Sequence, residues 1–252
     1  MTIGSNLADR VRVLKTLFTQ RYIWPDLGDM AQTRLHDYER VRDVSANTNP
    51  LKFVERLQKS ADHLDFERIL GPADAFERSD IPSWNSEPSV SEFLGEFVFR
   101  LKPRSVVELG CFIGWTSAHI ALGLRQANSN GKLWCVDTDS RFLKIAQENL
   151  ARIDLDHHVE FLCGQSTNGS LLATLPAEID MVFIDTSHLY EDTRQELEIY
   201  AKRLSPNGYL VLHDTISWPG VRRAIGEVWN QFQSLTFATE GSNGVTVLWS
   251  KK

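Results

Sequence analysis

Four acidic residues end or directly follow apolar, β-branched segments of this 252-residue chain: Glu108, Asp137, Asp185 and Asp214. A single acid in such a position is commonly the N-cap of the next helix. Parallel strands, however, bring their carboxyl ends to one edge of a sheet, which is where ligands bind in such folds. Four carboxylates at that edge predict a polar cleft that could hold a cation.

The turn after the first of these acids reads Glu108-Leu109-Gly110-Cys111-Phe112-Ile113-Gly114-Trp115-Thr116. Gly110 stands where the strand must turn sharply, and Gly114 where the next helix is expected to pack close to the sheet. A dinucleotide fingerprint needs a further glycine between them, so that the backbone can approach a pyrophosphate. Phe112 occupies that place. The turn therefore favours a nucleoside ligand without phosphates and disfavours a nicotinamide oxidoreductase.

Two further positions suit an adenosine. Asp137 ends the second predicted strand, where an acid can accept both ribose hydroxyls. The third strand is followed by Gly164-Gln165-Ser166, which are small and polar residues suited to the edge of an adenine. Each feature alone is common, but together they indicate an adenosine site.

Apolar segments alternate with amphipathic ones from residue 105 onward, which predicts parallel strands each followed by a helix. The predicted strands are Ser105–Leu109, Lys132–Asp137, His158–Cys163, Asp180–Asp185 and Gly208–Asp214. The predicted helices are Trp115–Arg125, Arg141–Ile153, Glu191–Leu204 and Val221–Phe232, and Pro206-Asn207-Gly208 favours a turn after the third of them. The segments Leu235–Ala238 and Gly244–Trp249 predict an antiparallel hairpin. The expected fold is α/β: a doubly wound, mostly parallel seven-stranded sheet with a C-terminal antiparallel hairpin and an N-terminal helical cap.

The composition argues against several classes of partner. Lys and Arg number 27 against 33 Asp and Glu, a formal charge of −6, which disfavours a nucleic-acid partner. No segment approaches about 18 apolar residues, so no membrane partner is expected. Cys111, Cys135 and Cys163 lack metal-ligand spacing and are expected to be buried reduced thiols, which predicts a cytoplasmic protein.

Five stretches together resemble the class I S-adenosylmethionine (SAM)-dependent methyltransferases, whose sheet is Rossmann-like. Within that superfamily the chain is most similar to the metal-assisted O-methyltransferases of the catechol type and to the related antibiotic and macrolide-sugar O-methyltransferases. The stretches that carry the resemblance are Val107–Thr116, Cys135–Asp139, Asp180–His188, Gly208–Thr215 and Trp218–Gly220.

The resemblance implies a role for each matching residue. The methionine end of SAM would be held by Glu108, Gly110, Phe112, Gly114 and Thr116. Asp137 would bind the ribose, while Thr138, Gln165 and Ser166 would lie against the adenine. Asp185, beside the cofactor, and Asp214 would bind a divalent cation, usually Mg²⁺, and His188 would be the catalytic base.

Two positions depart from the pattern of the resembling enzymes. The catechol type carries an asparagine after the second aspartate, where this chain has Thr215. The antibiotic-tailoring relatives often carry a carboxylate before that aspartate, where this chain has His213. The third protein ligand is therefore open: His213 could ligate a softer ion such as manganese or zinc, act as an alternative base, or hydrogen-bond within the loop.

The chain is expected to divide into an N-terminal helical cap at residues 1–95 and a SAM-binding catalytic domain at 96–252. Apolar residues recur at helical spacing from Leu7 to Phe18, which predicts an amphipathic helix. That helix would pack on the catalytic domain or on a second subunit. The second case would give a homodimer or a higher homo-oligomer. The stretch Ile81–Pro88 is expected to form a lid, because the equivalent stretch closes over the cofactor in the resembling enzymes.

The predicted function is methyl transfer from SAM to a hydroxyl of a small molecule: a phenol, a catechol, or a sugar or other natural product. A nucleic-acid methyltransferase is disfavoured, because Asp185-Thr186-Ser187-His188 lacks the Asn/Asp-Pro-Pro-aromatic sequence of adenine-modifying enzymes. Three alternatives stay open: a non-catalytic cofactor-binding scaffold, a hydroxylase-like relative, and an N-methyltransferase of a small molecule.

Overall fold

The computed structural model describes residues 66–81, 84–127, 130–237 and 243–250. The predicted helix from Leu7 to Phe18 and most of the predicted cap at residues 1–95 lie outside the described residues. The division into cap and catalytic domain therefore stays a prediction. Within the described residues, no helix is both long enough and apolar enough to cross a bilayer.

One seven-stranded sheet runs through the described part of the chain. Its strands are β1 (Ser105–Leu109), β2 (Lys132–Asp137), β3 (Val159–Cys163), β4 (Ile179–Ile184), β5 (Leu204–Leu212), β6 (Phe232–Phe237) and β7 (Val245–Ser250). Their order across the sheet is β3-β2-β1-β4-β5-β7-β6. The first five strands pair in parallel, and β7 pairs antiparallel with both β5 and β6. The predicted fold class, including the antiparallel C-terminal hairpin, is confirmed.

Helices cover both faces of this sheet. They are α1 (Phe66–Leu70), α2 (Pro88–Leu101), α3 (Trp115–Gln126), α4 (Ser140–Arg152), α5 (Gly169–Leu172), α6 (Tyr190–Ala201) and α7 (Pro219–Val228). Phe93 and Phe97 of α2 pack with Ile120 of α3 against one face. Leu197 of α6 and Ile225 of α7 pack against the other. Because helices cover both faces of the sheet, the side chains on both faces of its strands are buried, which explains why the strand segments are almost continuously apolar.

The strand boundaries follow the sequence prediction closely, except at β6 and β5. Strand β6 begins at Phe232, three residues before the predicted Leu235, and helix α7 ends at Val228 instead of at the predicted Phe232.

Strand β5 departs further from the prediction. The prediction began this strand at Gly208 and placed a turn at Pro206-Asn207-Gly208, whereas helix α6 already ends at Ala201 and β5 begins at Leu204. Leu204 pairs with Ile179 and Tyr209 with Met181, so residues 205–208 stand opposite the single residue Asp180. The turn-forming residues therefore make a bulge inside the strand, which is where proline is tolerated in a sheet.

The cysteines fit the prediction only in part. Cys111 and Cys135 are buried, and all three cysteines are free thiols. Cys163 is exposed, because it ends β3, which is an edge strand of the sheet. The prediction of burial was wrong for this residue.

Candidate active site

A cavity of about 970 Å³ opens at the carboxyl ends of the parallel strands. This is the size of a typical small-molecule site, and the edge of the sheet is the one at which ligands bind in doubly wound folds. Ten of the predicted site residues line it: Gly110, Phe112, Asp137, Thr138, Gln165, Ser166, Asp185, His188, His213 and Asp214.

The turn after β1 brings the backbones of two loops into contact at the floor of this cavity. Gly110 has a φ of +82°, and a Cβ built on it would lie 1.9 Å from the carbonyl oxygen of Asp185. The Asp185 N–H in turn donates to the Leu109 carbonyl at 2.9 Å. Only glycine fits this approach, so the predicted sharp turn at Gly110 also positions the loop after β4.

Phe112 stands where a dinucleotide fingerprint would have a further glycine. Its φ of +46° lies in the left-handed region that glycine favours. Its N–H donates to Asp137 Oδ2 at 3.0 Å. Its ring makes an edge contact with Phe142 at 4.6 Å between centroids and lies 5.8 Å from Trp84. The turn thus gives the cavity an aromatic wall.

Asp137 is held at the end of β2 by two backbone amides. Besides the Phe112 N–H, its carboxylate accepts the Asp139 N–H on Oδ1 at 3.0 Å. Each carboxylate oxygen has two acceptor sites, so the group can accept further hydroxyls from the cavity. This geometry suits the ribose role that the resemblance implies.

Three predicted cofactor residues do not line the cavity: Glu108, Gly114 and Thr116. Successive strand residues point to opposite faces, and Glu108 points away from the cavity edge into the core. There its carboxyl accepts the Ser117 hydroxyl and the Cys135 thiol. Burial raises the pKa of Glu108 to about 8, although those two hydrogen bonds oppose the shift.

The other two residues pack against neighbouring segments instead. A Cβ on Gly114 would lie 2.8 Å from Leu150 Cδ1, so this turn packs on α4 and not on the sheet as predicted. The Thr116 hydroxyl donates to Ser86 Oγ at 3.1 Å, and Ser86 donates to Asp185 Oδ2 at 3.1 Å. Thr116 is therefore connected to the cavity through Ser86.

Asp137 lies at one end of the cavity, and the other end contains two histidines among three carboxylates. His188 Nε2 lies 3.1 Å from Asp185 Oδ1 and 2.7 Å from Asp214 Oδ2. His213 Nδ1 lies 3.2 Å from Asp185 Oδ2, and its Nε2 lies 2.8 Å from Glu87 Oε2. We call these five residues the acid–histidine cluster.

Charge within the acid–histidine cluster shifts its pKa values. Burial would lower the pKa of His188, but the hydrogen bonds to Asp185 and Asp214 outweigh it and raise the pKa to about 9. Burial would also lower the pKa of His213, but the negative charge of Asp185 outweighs it, and the pKa rises to about 11. Burial would raise the pKa of Asp185, yet the two histidines hold it well below its usual value. Both imidazoles are therefore protonated at neutral pH in this arrangement.

Both histidines lie close to the two predicted metal-binding aspartates. Asp185, His188 and Asp214 offer ligand atoms that all lie within 4.8 Å of one another. His213, the predicted ligand, also lies beside both aspartates, with Nδ1 3.2 Å from Asp185 Oδ2 and 3.7 Å from Asp214 Oδ1, so the third ligand stays a prediction. Thr215 is fully buried and does not line the cavity, so the structure does not support it as a third ligand.

Glu87 is a residue that the sequence analysis missed. It is the N-cap of α2, with Pro88 at the first helical position, and this places its carboxylate over the cavity. There Oε1 accepts the Asn243 N–H at 2.9 Å while Oε2 contacts His213. An acid before a helix-starting proline looks like an ordinary capping residue in the sequence, so only the fold reveals the contact.

Backbone strain is concentrated around this cavity. Among the described residues, five that are not glycine have a positive φ, and three of these line the cavity: Phe112, His188 and Asp214. Such conformations cost about 1–3 kcal/mol each and persist where the surroundings enforce them. The contacts of the surrounding loops, and not the intrinsic backbone preferences of these residues, thus hold His188 and Asp214 in their conformations.

Comparisons with known proteins agree with this architecture. Residues 107–215 match the family model described as a methyltransferase domain. A catechol O-methyltransferase from Niastella koreensis is 25% identical over 60% of this chain and 66% of its own length. An O-methyltransferase from Aspergillus hancockii is 24% identical over 50% of this chain and 49% of its own length. The matched segment thus spans between about half and two thirds of the length of these curated relatives.

Solved structures share the fold at low sequence identity. An O-methyltransferase from Bacillus cereus in complex with SAH has a TM-score of 0.63 and 18% identity, covering 74% of this chain and 95% of that one. The O-methyltransferase TomG from Streptomyces achromogenes in complex with SAM has a TM-score of 0.62 and 21% identity, covering 81% and 97%. The predicted resemblance to the SAM-dependent methyltransferases is therefore confirmed, through the match of residues 107–215 to the methyltransferase domain model and through the Rossmann-like fold that these structures share.

Proposed function

We propose that this protein is an O-methyltransferase that transfers the methyl group of SAM to a hydroxyl of a small aromatic acceptor. The observation that carries the proposal is a single cavity with two different ends. One end offers Asp137 and a polar loop to an adenosine, and the other holds the acid–histidine cluster. The similarity of the methyltransferase domain to a catechol O-methyltransferase supports the same chemistry.

The cofactor would lie across the carboxyl ends of β1, β2 and β3. Asp137 would accept the ribose hydroxyls, and Thr138 and Gln165 would line the adenine. Phe112 at the turn excludes a pyrophosphate and leaves room for the methionine end beside Gly110. Methyl transfer is an in-line displacement, so the main task of these residues is to align the sulfonium with the acceptor oxygen.

Exposed apolar side chains support an aromatic acceptor. Among the described residues, the large hydrophobic side chains that are exposed are Trp84 (67%), Leu189 (61%) and Trp218 (45%). Trp84 and Trp218 line the cavity, and Leu189 follows His188 in the chain. Trp218 also stacks on His188, with 5.0 Å between ring centroids. A planar phenol or catechol would stack on the exposed Trp218 ring beside His188 and remove it from water.

The acid–histidine cluster has the donor set for a divalent cation such as Mg²⁺. Asp185 and Asp214 would hold the cation, because hard ions prefer carboxylate oxygens. Asp214 Oδ1 fits this role: it is buried and has no hydrogen-bond partner within the described part of the chain. When bound, such an ion would lower the pKa of the acceptor hydroxyl and fix its oxygen.

His188 would take the proton from the acceptor hydroxyl. The two aspartates that flank it stabilise its charged form, so the imidazole becomes a base only where these carboxylates have another positive partner. Its stacking on Trp218 keeps the ring at the acceptor end of the cavity. A cation bound by the two aspartates would be that partner: it would lower the pKa of His188 from its raised value and let the imidazole act as a general base.

Calorimetry with SAH, the demethylated product of SAM, tests the cofactor part of this proposal. The protein is expected to bind SAH and not NAD. Asp137→Ala should abolish SAH binding, while Asp74→Ala, which removes an exposed carboxylate outside the cavity, should bind as the wild type does. Binding of NAD instead of SAH would overturn the proposal.

A screen of acceptors separates the remaining alternatives. Labelled methyl from SAM should move to phenolic or catecholic hydroxyls. Transfer to amines alone would indicate an N-methyltransferase. SAH binding without transfer to any acceptor class would indicate a scaffold or a hydroxylase-like relative.

A further inference from the structure

Glu196 is a buried acid that the proposed reaction does not use. It lies on α6, is 2% exposed and lines the cavity. Thr193 and Tyr200, three residues before and four after it, are also buried, so Glu196 belongs to the inward-facing side of the helix. A carboxylate at such a position is expensive to bury unless its oxygens accept hydrogen bonds.

Both carboxylate oxygens of Glu196 are engaged by residues of different loops. Oε1 accepts the Ser166 hydroxyl at 2.6 Å, from the loop after β3. Oε2 accepts the Thr186 hydroxyl at 2.8 Å, from the loop after β4. One turn further along α6, the Tyr200 hydroxyl donates to the Ser166 carbonyl at 2.8 Å. Helix α6 therefore holds Ser166 by its side chain and by its backbone.

The two loops that Glu196 joins are not neighbours in the sheet. Strands β2 and β1 lie between β3 and β4, so no direct strand pairing sets the distance between the loops. Both loops line the cavity, through Gln165 and Ser166 on one side and Thr186 on the other. The separation of these walls depends on what connects them, and Glu196 makes that connection.

We propose that Glu196 is a positioning residue that sets the width of the adenosine end of the cavity by holding Ser166 and Thr186 together. The inference rests on the proposed function, because the ligand concerned is the adenosine part of SAM. It also refines the role of Ser166. Its hydroxyl is committed to Glu196, so what it presents to an adenine is its backbone and its position.

The test compares three variants by SAH calorimetry and thermal melting. Glu196→Ala should raise the Kd of SAH about tenfold or more, because two half-buried hydroxyls lose a charged acceptor. Glu196→Gln should restore the Kd to within about threefold of the wild type, since its amide oxygen and N–H can each engage one hydroxyl. Glu198→Ala is the matched control on the same helix, because Glu198 is exposed and pairs with Lys202.

A double-mutant cycle separates positioning from general stability. Ser166→Ala and Thr186→Val should each weaken SAH binding, by about threefold. In a chain that carries both changes, Glu196→Ala should cost little further affinity, because its partners are already gone. At saturating SAM, kcat should stay within about threefold of the wild type in the Glu196 variants, so that the effect falls on the KM for SAM.

The outcomes that overturn the inference are distinct from those that overturn the proposed function. If the wild type does not bind SAH, the proposed function fails and this inference fails with it. If the wild type binds and Glu196→Ala binds within twofold of it, only the inference fails. An undiminished effect of Glu196→Ala in the Ser166→Ala/Thr186→Val chain also contradicts it. Should Glu196→Ala not fold, unchanged affinity in both hydroxyl variants would be the contradicting result.

Discussion

The two ends of the cavity are built in different ways. The adenosine end is formed mainly by turns that directly follow β1, β2 and β3: Asp137 accepts backbone amides of these turns, and Glu196 of α6 joins Ser166 to Thr186. The acid–histidine end is assembled from three distant parts of the chain: residues 84–87, the loops after β4 and β5, and Asn243. One end is mainly a set of local turns supported by one buried acid of α6, whereas the other depends on tertiary contacts between oppositely charged groups.

This difference assigns separate tasks to the two ends. At the adenosine end, backbone amides and hydroxyls that donate to Asp137 and Glu196 give a pre-formed binding surface, which suits a cofactor. Charged groups with shifted pKa values, such as His188 and Asp185, are typical of catalytic sites. Changes at one end should therefore alter turnover and leave cofactor binding intact, and changes at the other should do the reverse.

The largest effect is expected from Asp185→Asn. The change removes a carboxylate that contacts both histidines and would hold the cation, so kcat should fall by about a hundredfold to ten-thousandfold, the range for losing general acid–base catalysis. The Kd of SAH should stay within about threefold of the wild type. Asp154→Asn, at an exposed acid, is the control in the same calorimetric and turnover assays. A large loss of SAH affinity would show that the two ends are not separable.

Glu87→Gln should have a smaller effect on the same end. The glutamine keeps a hydrogen bond to His213 and removes the charge that balances the imidazolium, so kcat should fall about tenfold, as for loss of one charged hydrogen bond. Melting temperature and SAH affinity should change little. A matched control is Glu92→Gln, in the first half of the same helix α2. If kcat in Glu87→Gln equals that of the wild type, Glu87 only caps the helix.

Ser86→Ala should have a weaker effect still. The Ser86 hydroxyl links Thr116 to Asp185 through two neutral-donor hydrogen bonds of 3.1 Å each. Their loss should lower kcat by about threefold, in line with about 0.5–1.5 kcal/mol for a typical hydrogen bond. Steady-state kinetics at saturating SAM measures this directly. A rise in the KM for SAM with unchanged kcat would contradict this and show that Ser86 supports cofactor binding instead of turnover.

Glu108→Gln should alter stability without altering the site. The carboxyl of Glu108 has a pKa of about 8 in the folded protein, so the folded state binds its proton more tightly than the unfolded chain does. The free energy of unfolding should therefore fall as the pH rises from about 4.5 to about 8. The neutral glutamine should make the decline between pH 5 and pH 8 smaller than in the wild type, which denaturant titrations at these two pH values can measure. The part of the decline caused by the raised pKa values of His188 and His213 should remain.

The exposed Glu160, which pairs with Lys132, supplies the control for that experiment. Glu160→Gln should retain the decline of the wild type. Both variants should bind SAH with wild-type affinity, because neither residue lines the cavity. A strong loss of SAH binding in Glu108→Gln would restore the cofactor role that the resemblance implied for this residue.

The sequence predicted those parts of the molecule that depend on local patterns. The bounds of β1 and β2 agree with the prediction because apolar runs define them, and Gly110 and Asp137 were found because they follow those strands. The sequence did not show that Glu108 faces the core, where the alternation of side chains along β1 places it. Strand-end position alone does not reveal the face.

The tertiary contacts escaped prediction for a physical reason. Glu87 and His213 are separated by 126 positions in the chain, and nothing in either segment signals the other. Glu196 left a weak signal, since an acid at the spacing of Thr193 and Tyr200 falls on a buried helix face. What such an acid binds depends on which loops the fold brings above the helix.

Methyl transfer by three forms of the protein tests the central claim most directly. Wild type, His188→Ala and His157→Ala would be incubated with labelled SAM and a panel of phenols and catechols, and SAH binding would be measured in parallel. His157 is an exposed histidine outside the cavity and serves as the matched control. The account predicts that all three bind SAH, that wild type and His157→Ala label an acceptor, and that His188→Ala does not. Equal labelling by His188→Ala and wild type would contradict it.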